Sequence, residues 1–183
     1  ANKIEDVFRE VSDPKEIRAL FEEAAQADCV GAAFSRDPGN VLPLFAHPSG
    51  FGRIALAWGE DKIVSIPCDM EMDMDSLFAM VSELAGRVRR FSMCGLKEAL
   101  PFLPDVKKES AFDVIVAAYL LNPLKSDYDY EDVAREHLNL LIDEKTADAA
   151  KACYEAYTAY AAPPVLEKKL KEADMERLFT EIE

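Results

Sequence analysis

The stretch from residue 54 to residue 66 constrains the fold more than any other. Ile54, Leu56 and Trp58 alternate with Ala55 and Ala57, Gly59-Glu60-Asp61 offers a turn, and Ile63, Val64 and Ile66 lead back to Pro67. A period of two sends successive side chains to opposite faces, so the pattern predicts a β-hairpin. Proline has no N–H to give to a ladder and ends the return strand.

The flanking segments decide what the hairpin joins. Ser12-Asp13-Pro14 is a helix start, a capping side chain ahead of a proline in the first turn, and Ile17, Leu20, Phe21 and Ala24 follow at helical spacing. Cys29 to Ser35 is an uncharged run closed by the turn cluster Asp37-Pro38-Gly39-Asn40, and it reads as a buried strand. Beyond the hairpin, Leu77, Met80, Val81 and Leu84 predict a helix, residues 88–92 a short strand, and residues 96–102 a brief helix closed by Pro104. Residues 112–121 are, Asp113 apart, apolar all round, which marks a helix buried on most sides and stopped by Asn122-Pro123. Val133, Ala134, His137, Leu138 and Leu141 give an amphipathic helix with His137 facing the core, and the chain from Thr146 onward is helical with a break at Pro163-Pro164. Hairpin-joined strands followed by a helical crossover predict an α/β fold, a mixed sheet flanked by helices. This is compatible with a ribonuclease-H-like arrangement, which periodicity alone does not single out.

Residues 1–183 fit one domain, with a helical C-terminal part from about residue 143. The chain has 21 basic against 35 acidic residues, a net charge of −14, which repels phosphate backbones over most of the surface. Arg87, Arg89 and Arg90, or Lys107 and Lys108, are the best sources of a local basic patch. Weak nucleic-acid binding, or none, is expected of the chain alone. No basic-then-apolar leader opens it, and its most apolar run, Val114 to Leu121, is far shorter than the ~20 residues of a membrane span. No membrane contact is therefore expected. Cys29, Cys68, Cys94 and Cys153 are scattered, with no C-x-x-C and no metal-ligand spacing to His47 or His137, as in a cytoplasmic protein with reduced thiols. The first residue is not Met and the last residues, Glu-Ile-Glu, fall inside an unfinished helical pattern, so a piece of a longer polypeptide is expected.

The most specific stretch is Ala111-Phe-Asp-Val-Ile-Val-Ala-Ala-Tyr-Leu-Leu-Asn-Pro123, followed by Tyr130-Glu-Asp-Val-Ala-Arg-Glu-His-Leu138. It resembles the segment of bacterial family A DNA polymerases (DNA polymerase I) that reads Phe-Asp-Thr, a long apolar helix ending Tyr-Leu-Leu-Asn-Pro, and then Leu-x-x-Leu-Ala-x-x-Tyr-Leu. Residues 91–100 sit where that family's second exonuclease motif lies, and Leu178-Phe-Thr-Glu-Ile-Glu183 is similar to the junction before the polymerase domain. The likeness runs from about Val7 to Glu183. It implies a 3′–5′ exonuclease-like domain of ribonuclease-H-like fold, with polymerase and 5′-nuclease domains of the same parent chain as partners. Mg2+ and DNA would then be handled by the parent enzyme.

Active relatives hold two metals with four carboxylates, because phosphodiester cleavage needs one cation to generate the attacking hydroxide and another to steady the leaving oxygen. The first family motif is Asp-x-Glu on a strand; the matching strand here reads Gly31-Ala-Ala-Phe-Ser35, with Ala33 and Ser35 at the matching places. The second is Asn-x-x-x-Asp; here Gly95 and Ala99 stand there, with Lys97 retained between them. The third is Tyr-x-x-x-Asp, and residues 151–157 contain no such pair. The resemblance thus implies a degenerate domain with no catalytic, cofactor-binding or metal-binding residue, serving a structural role. Two alternatives stand beside it: an active metal-dependent exonuclease with relocated ligands such as Asp37 or Asp113, and an unrelated α/β interaction module.

Other features read more plainly. Asp69-Met-Glu-Met-Asp-Met-Asp75 lacks the glycine and glutamate of a calcium loop and reads as an acidic approach to a helix. Tyr128-x-x-x-Asp132 precedes its helix and lies in the wrong segment for the third motif. Tyr154, Tyr157 and Tyr160 form a packing stripe, Lys168, Lys169 and Lys171 a solvated face, and Asp113 a helix cap.

Overall fold

In the computed structural model, which describes residues 2–174 and 176–182, the chain runs through β1 (Phe8–Glu10), α1 (Pro14–Ala24), β2 (Cys29–Ser35), β3 (Arg53–Gly59), β4 (Lys62–Pro67), α2 (Met74–Arg87), β5 (Arg90–Met93), β6 (Ala111–Asp113), α3 (Val114–Leu121), α4 (Tyr130–Leu138), α5 (Asp148–Glu172) and α6 (Glu176–Ile182). The strands make one sheet in the order β1-β4-β3-β2-β5-β6. Only β3 runs against its neighbours. Glu183, the last residue of the junction-like segment, lies outside the described residues.

The hairpin's alternation sorts residues by size. Ile54, Leu56 and Trp58 join Val30, Phe34, Val64 and Ile66 in a large core with Ile17 and Phe21 of α1 and Leu77, Phe78 and Val81 of α2. Ala55 and Ala57 face the other way, toward Ala152, Cys153 and Ala156 of α5. Both faces are therefore covered, as the parallel pairings of β1, β2, β5 and β6 require. A further cluster packs Phe112 and α3 against Leu166 and Leu170 of the same long helix.

Capping fixes where the helices begin. Asp13 accepts from Lys15 N–H at 3.3 Å, and Asp73 accepts from Ser76 N–H at 2.8 Å. Asp129 and Asp132 exchange bonds in a capping box that starts α4.

Several expectations need correction. The edge strands β1 and β6 are too short to carry a periodic signal, so Phe112 and Asp113 are strand residues and the buried helix begins at Val114. Residues 96–102 make turns and a single 3-10 turn at Leu100–Phe102 rather than an α-helix. Helix α4 stops at Leu138 because Asn139 turns left-handed, which leaves Leu141 outside it and 69% exposed. His137 is only half-buried, against Lys169. Helix α5 continues through Pro163-Pro164. An interior proline costs about 3 kcal/mol in a helix, but Ala152, Cys153 and Ala156 before the pair and Leu166 and Leu170 after it are all buried. Packing on both sides holds the helix in one piece. Among the described residues, no helix is long and apolar enough to cross a membrane.

Candidate functional site

The carboxyl ends of β1, β4, β2, β5 and β6 and the first residue of β3 share one edge of the sheet. Open α/β sheets take ligands at such an edge. Ala33, Ser35, Gly95 and Ala99 all lie on or just beyond these strands, and each is occupied by packing or by a local bond.

Ala33 is 1% exposed and clusters with Ala55, Ala152, Cys153 and Ala156. Two residues earlier, a Cβ on Gly31 would stand 2.4 Å from the Tyr160 amide nitrogen, so the backbone of α5 rests directly on β2. Ser35 donates to Asp37 Oδ2 at 3.2 Å. Asp37 also accepts from Arg53 Nε at 2.7 Å and from Gly39 N–H at 2.9 Å. Arg53 reaches on to Glu10 Oε1 at 2.6 Å and to Ser65 Oγ at 3.3 Å. Burial opposes the charge of Arg53, but its bonds to Glu10 and Asp37 hold its pKa above the usual value.

Gly95 has φ 95°, a region that suits glycine. Its N–H donates to Asp113 Oδ1 at 3.2 Å and the N–H of Leu96 to Oδ2 at 2.9 Å. Asp113 also accepts from Ile115 and Val116 N–H, at 3.0 and 3.2 Å, and so both caps α3 and clamps the turn after β5. Ala99 is 3% exposed and points into the large core beside Leu96 and Leu103. Above these positions Arg36 pairs with Glu98, tying the end of β2 to the turn after β5. Lys97 is exposed.

In the third segment, Cys153 is buried and Tyr154 turns away to donate to Glu5 at 2.5 Å, with its ring edge-on to Phe8 at 5.0 Å. Glu155 is half-buried, and burial reinforced by the charges of Asp129, Glu131 and Glu98 pushes its pKa up to about 8. Sequence patterns missed Glu155 and the ion pairs of Arg36 and Arg53. An arginine opening an otherwise apolar strand was the available signal for the latter.

These residues do not fit a pair of divalent metals. Hard cations need several free oxygen ligands, whereas Asp37 and Asp113 spend their oxygens on Arg53 and on backbone N–H groups. Among the described residues, no three His, Cys, Asp or Glu side chains are grouped so as to hold a metal ion. Asp69 caps its own turn through Glu71 and Met72 N–H. Despite some burial, bonds from Lys125 and Arg135 hold Asp132 at about 2, so it serves α4 as a paired residue. Tyr157 donates to Glu60 at 2.9 Å. The proposed basic patch is partly neutralised, since Arg87 pairs with Glu22 and Arg90 with Glu167.

No protein-family model matches the sequence, and no curated protein does. Solved structures do. The POL domain of Pol1 from M. smegmatis, in complex with DNA primer-template and dNTP, superposes with TM-score 0.65 at 14% identity, over 94% of this chain and 29% of that one. Brucella melitensis NrnC bound to pGG gives 0.65 at 12% identity, over 96% of this chain and 86% of that one. The catalytic core of RRP6 from Trypanosoma brucei (mutant C496S) gives 0.65 at 14% identity, over 95% and 50%. The chain has a ribonuclease-H-like exonuclease fold. This exonuclease-like fold spans less than a third of the polymerase chain and most of NrnC.

Proposed function

We propose that the chain is a catalytically inactive 3′–5′ exonuclease-like domain of a DNA polymerase I, with a structural role between a 5′-nuclease part and a polymerase part. The observation that carries this reading is the packing at Ala33, where α5 rests on β2 and alanines fill the space beside the strand. The polymerase context rests on the 111–138 segment together with the likeness to the M. smegmatis POL domain. Mg2+ and DNA belong, on this reading, to the parent enzyme, and residues 1–183 act as one domain in the cytoplasm. The four free cysteines are in keeping with that compartment.

An end-labelled oligonucleotide with a recessed 3′ end, incubated with the chain and Mg2+ or Mn2+, is expected to stay intact. Metal-dependent trimming that co-purifies with the chain and disappears in an Asp113→Asn or Asp37→Asn variant would instead establish an exonuclease with relocated ligands.

A further inference from the structure

The loop between β2 and β3 presents an apolar tip. Leu42, Leu44 and Phe45 are 68%, 86% and 53% exposed, and Met70, after β4, is 68% exposed. The base of the loop is firmly held. Asn40 N–H donates to Cys68 at 2.8 Å, Gly52 N–H to Ser35 at 2.9 Å, and Arg36 to the Ser49 carbonyl at 2.8 Å. His47 meets Asp75 at 2.7 Å, and Phe51 is buried edge-on to Phe34 and Phe78. The tip is thus displayed by an ordered platform.

Behind it lies a hollow of about 230 Å³, lined among others by Phe45, Cys68, Asp69, Asp73 and Asp75. Asp69, Asp73 and Asp75 therefore set negative charge beside Phe45, Glu71 follows in the turn that Asp69 caps, and Arg36, the loop's cation, is paired with Glu98. Exposed apolar residues edged by one sign of charge mark an interaction surface. The sign selects the partner. Carboxylates repel anionic lipid and nucleic-acid phosphates, and a second copy with net charge −14 repels the first.

We propose that this tip docks a protein segment with an apolar face flanked by lysine or arginine, such as a basic amphipathic helix. This goes beyond the structural role proposed above and does not depend on the state of the exonuclease cleft.

A fluorescent amphipathic leucine–lysine peptide, titrated into the full chain and followed by anisotropy, tests it. Binding is expected to weaken by about tenfold or more in a Leu44→Ser/Phe45→Ser variant, and likewise in Asp69→Asn/Glu71→Gln. A leucine–glutamate peptide should not bind. All four positions are exposed or in turns, and an unchanged urea midpoint confirms that each variant is folded. No binding to the unaltered chain, or binding by either variant as tight as by the unaltered chain, overturns the proposal. So does Leu44-dependent adsorption to vesicles of equal phosphatidylcholine and phosphatidylglycerol, or a Leu44-dependent dimer in analytical ultracentrifugation.

Discussion

Gly31 and Ala156 touch so closely that a Cβ on the glycine would stand 2.3 Å from the alanine's carbonyl oxygen. The obstacle is helix backbone, which cannot swing aside as a flexible side chain can. Gly31→Ala is therefore expected to destabilise the chain by at least about 1–3 kcal/mol, the usual cost of overpacking. Urea unfolding with an unchanged m-value and a lowered midpoint is the expected readout.

Placing an acid on strand β2 should harm the fold. In Ala33→Asp the new carboxylate would enter the tightly packed cluster of Ala55, Ala152, Cys153 and Ala156, where it is taken out of water. The expected loss is about 3–5 kcal/mol, the range for an uncompensated buried charge. Thermal denaturation with and without Mg2+ checks this, and a Mg2+-dependent recovery of Tm would show that the cleft can still hold a metal.

Arg53 is the counter-charge for Asp37, whose side chain is only 7% exposed. Arg53→Met leaves that carboxylate buried without its counter-charge, at a cost of about 3–5 kcal/mol. Arg53→Lys keeps the charge but cannot span Asp37, Glu10 and Ser65 together, and an intermediate loss is expected by the same denaturation measurement.

Glu155 adds a pH dependence of defined sign. Its carboxyl is raised from 4.5 to about 8 by burial and by Asp129, Glu131 and Glu98. The unfolded chain therefore releases this proton more readily, and stability present below pH 4.5 is lost as pH rises toward 8. Glu155→Gln should flatten the stability profile across that interval. His137, lowered by burial and by Lys169, works in the opposite sense: its contribution is full above its unfolded value of 6.5 and declines as pH falls below it.

The parts legible in the sequence were those with a repeating pattern or recognisable stops. The hairpin and α1 show a period of two or 3.6, the strand 29–35 is an uncharged run closed by a turn cluster, and the structure keeps all three nearly residue for residue. Asp113 was legible as a cap, although its clamp on Gly95 and Leu96 was not. Strands β1 and β6 span only three residues each and exist because a neighbouring strand offers a ladder. The two prolines in α5 pointed locally to a break that distant packing overrules. The ion pairs at the sheet edge join residues 43 and 62 positions apart, Arg53 with Glu10 and Arg36 with Glu98. No local window contains both members of either pair.

The Arg53 guanidinium has one more consequence. Divalent cations are on loan from solution: their occupancy follows supply, and a chelator can call them back. A positive charge on a side chain is owned by the polypeptide from synthesis onward. The edge of the sheet where β1, β2, β3 and β4 meet carries such an inherited charge between Asp37 and Glu10. Its cohesion is accordingly decoupled from the metal economy of the cell, and EDTA should leave the melting curve where it was.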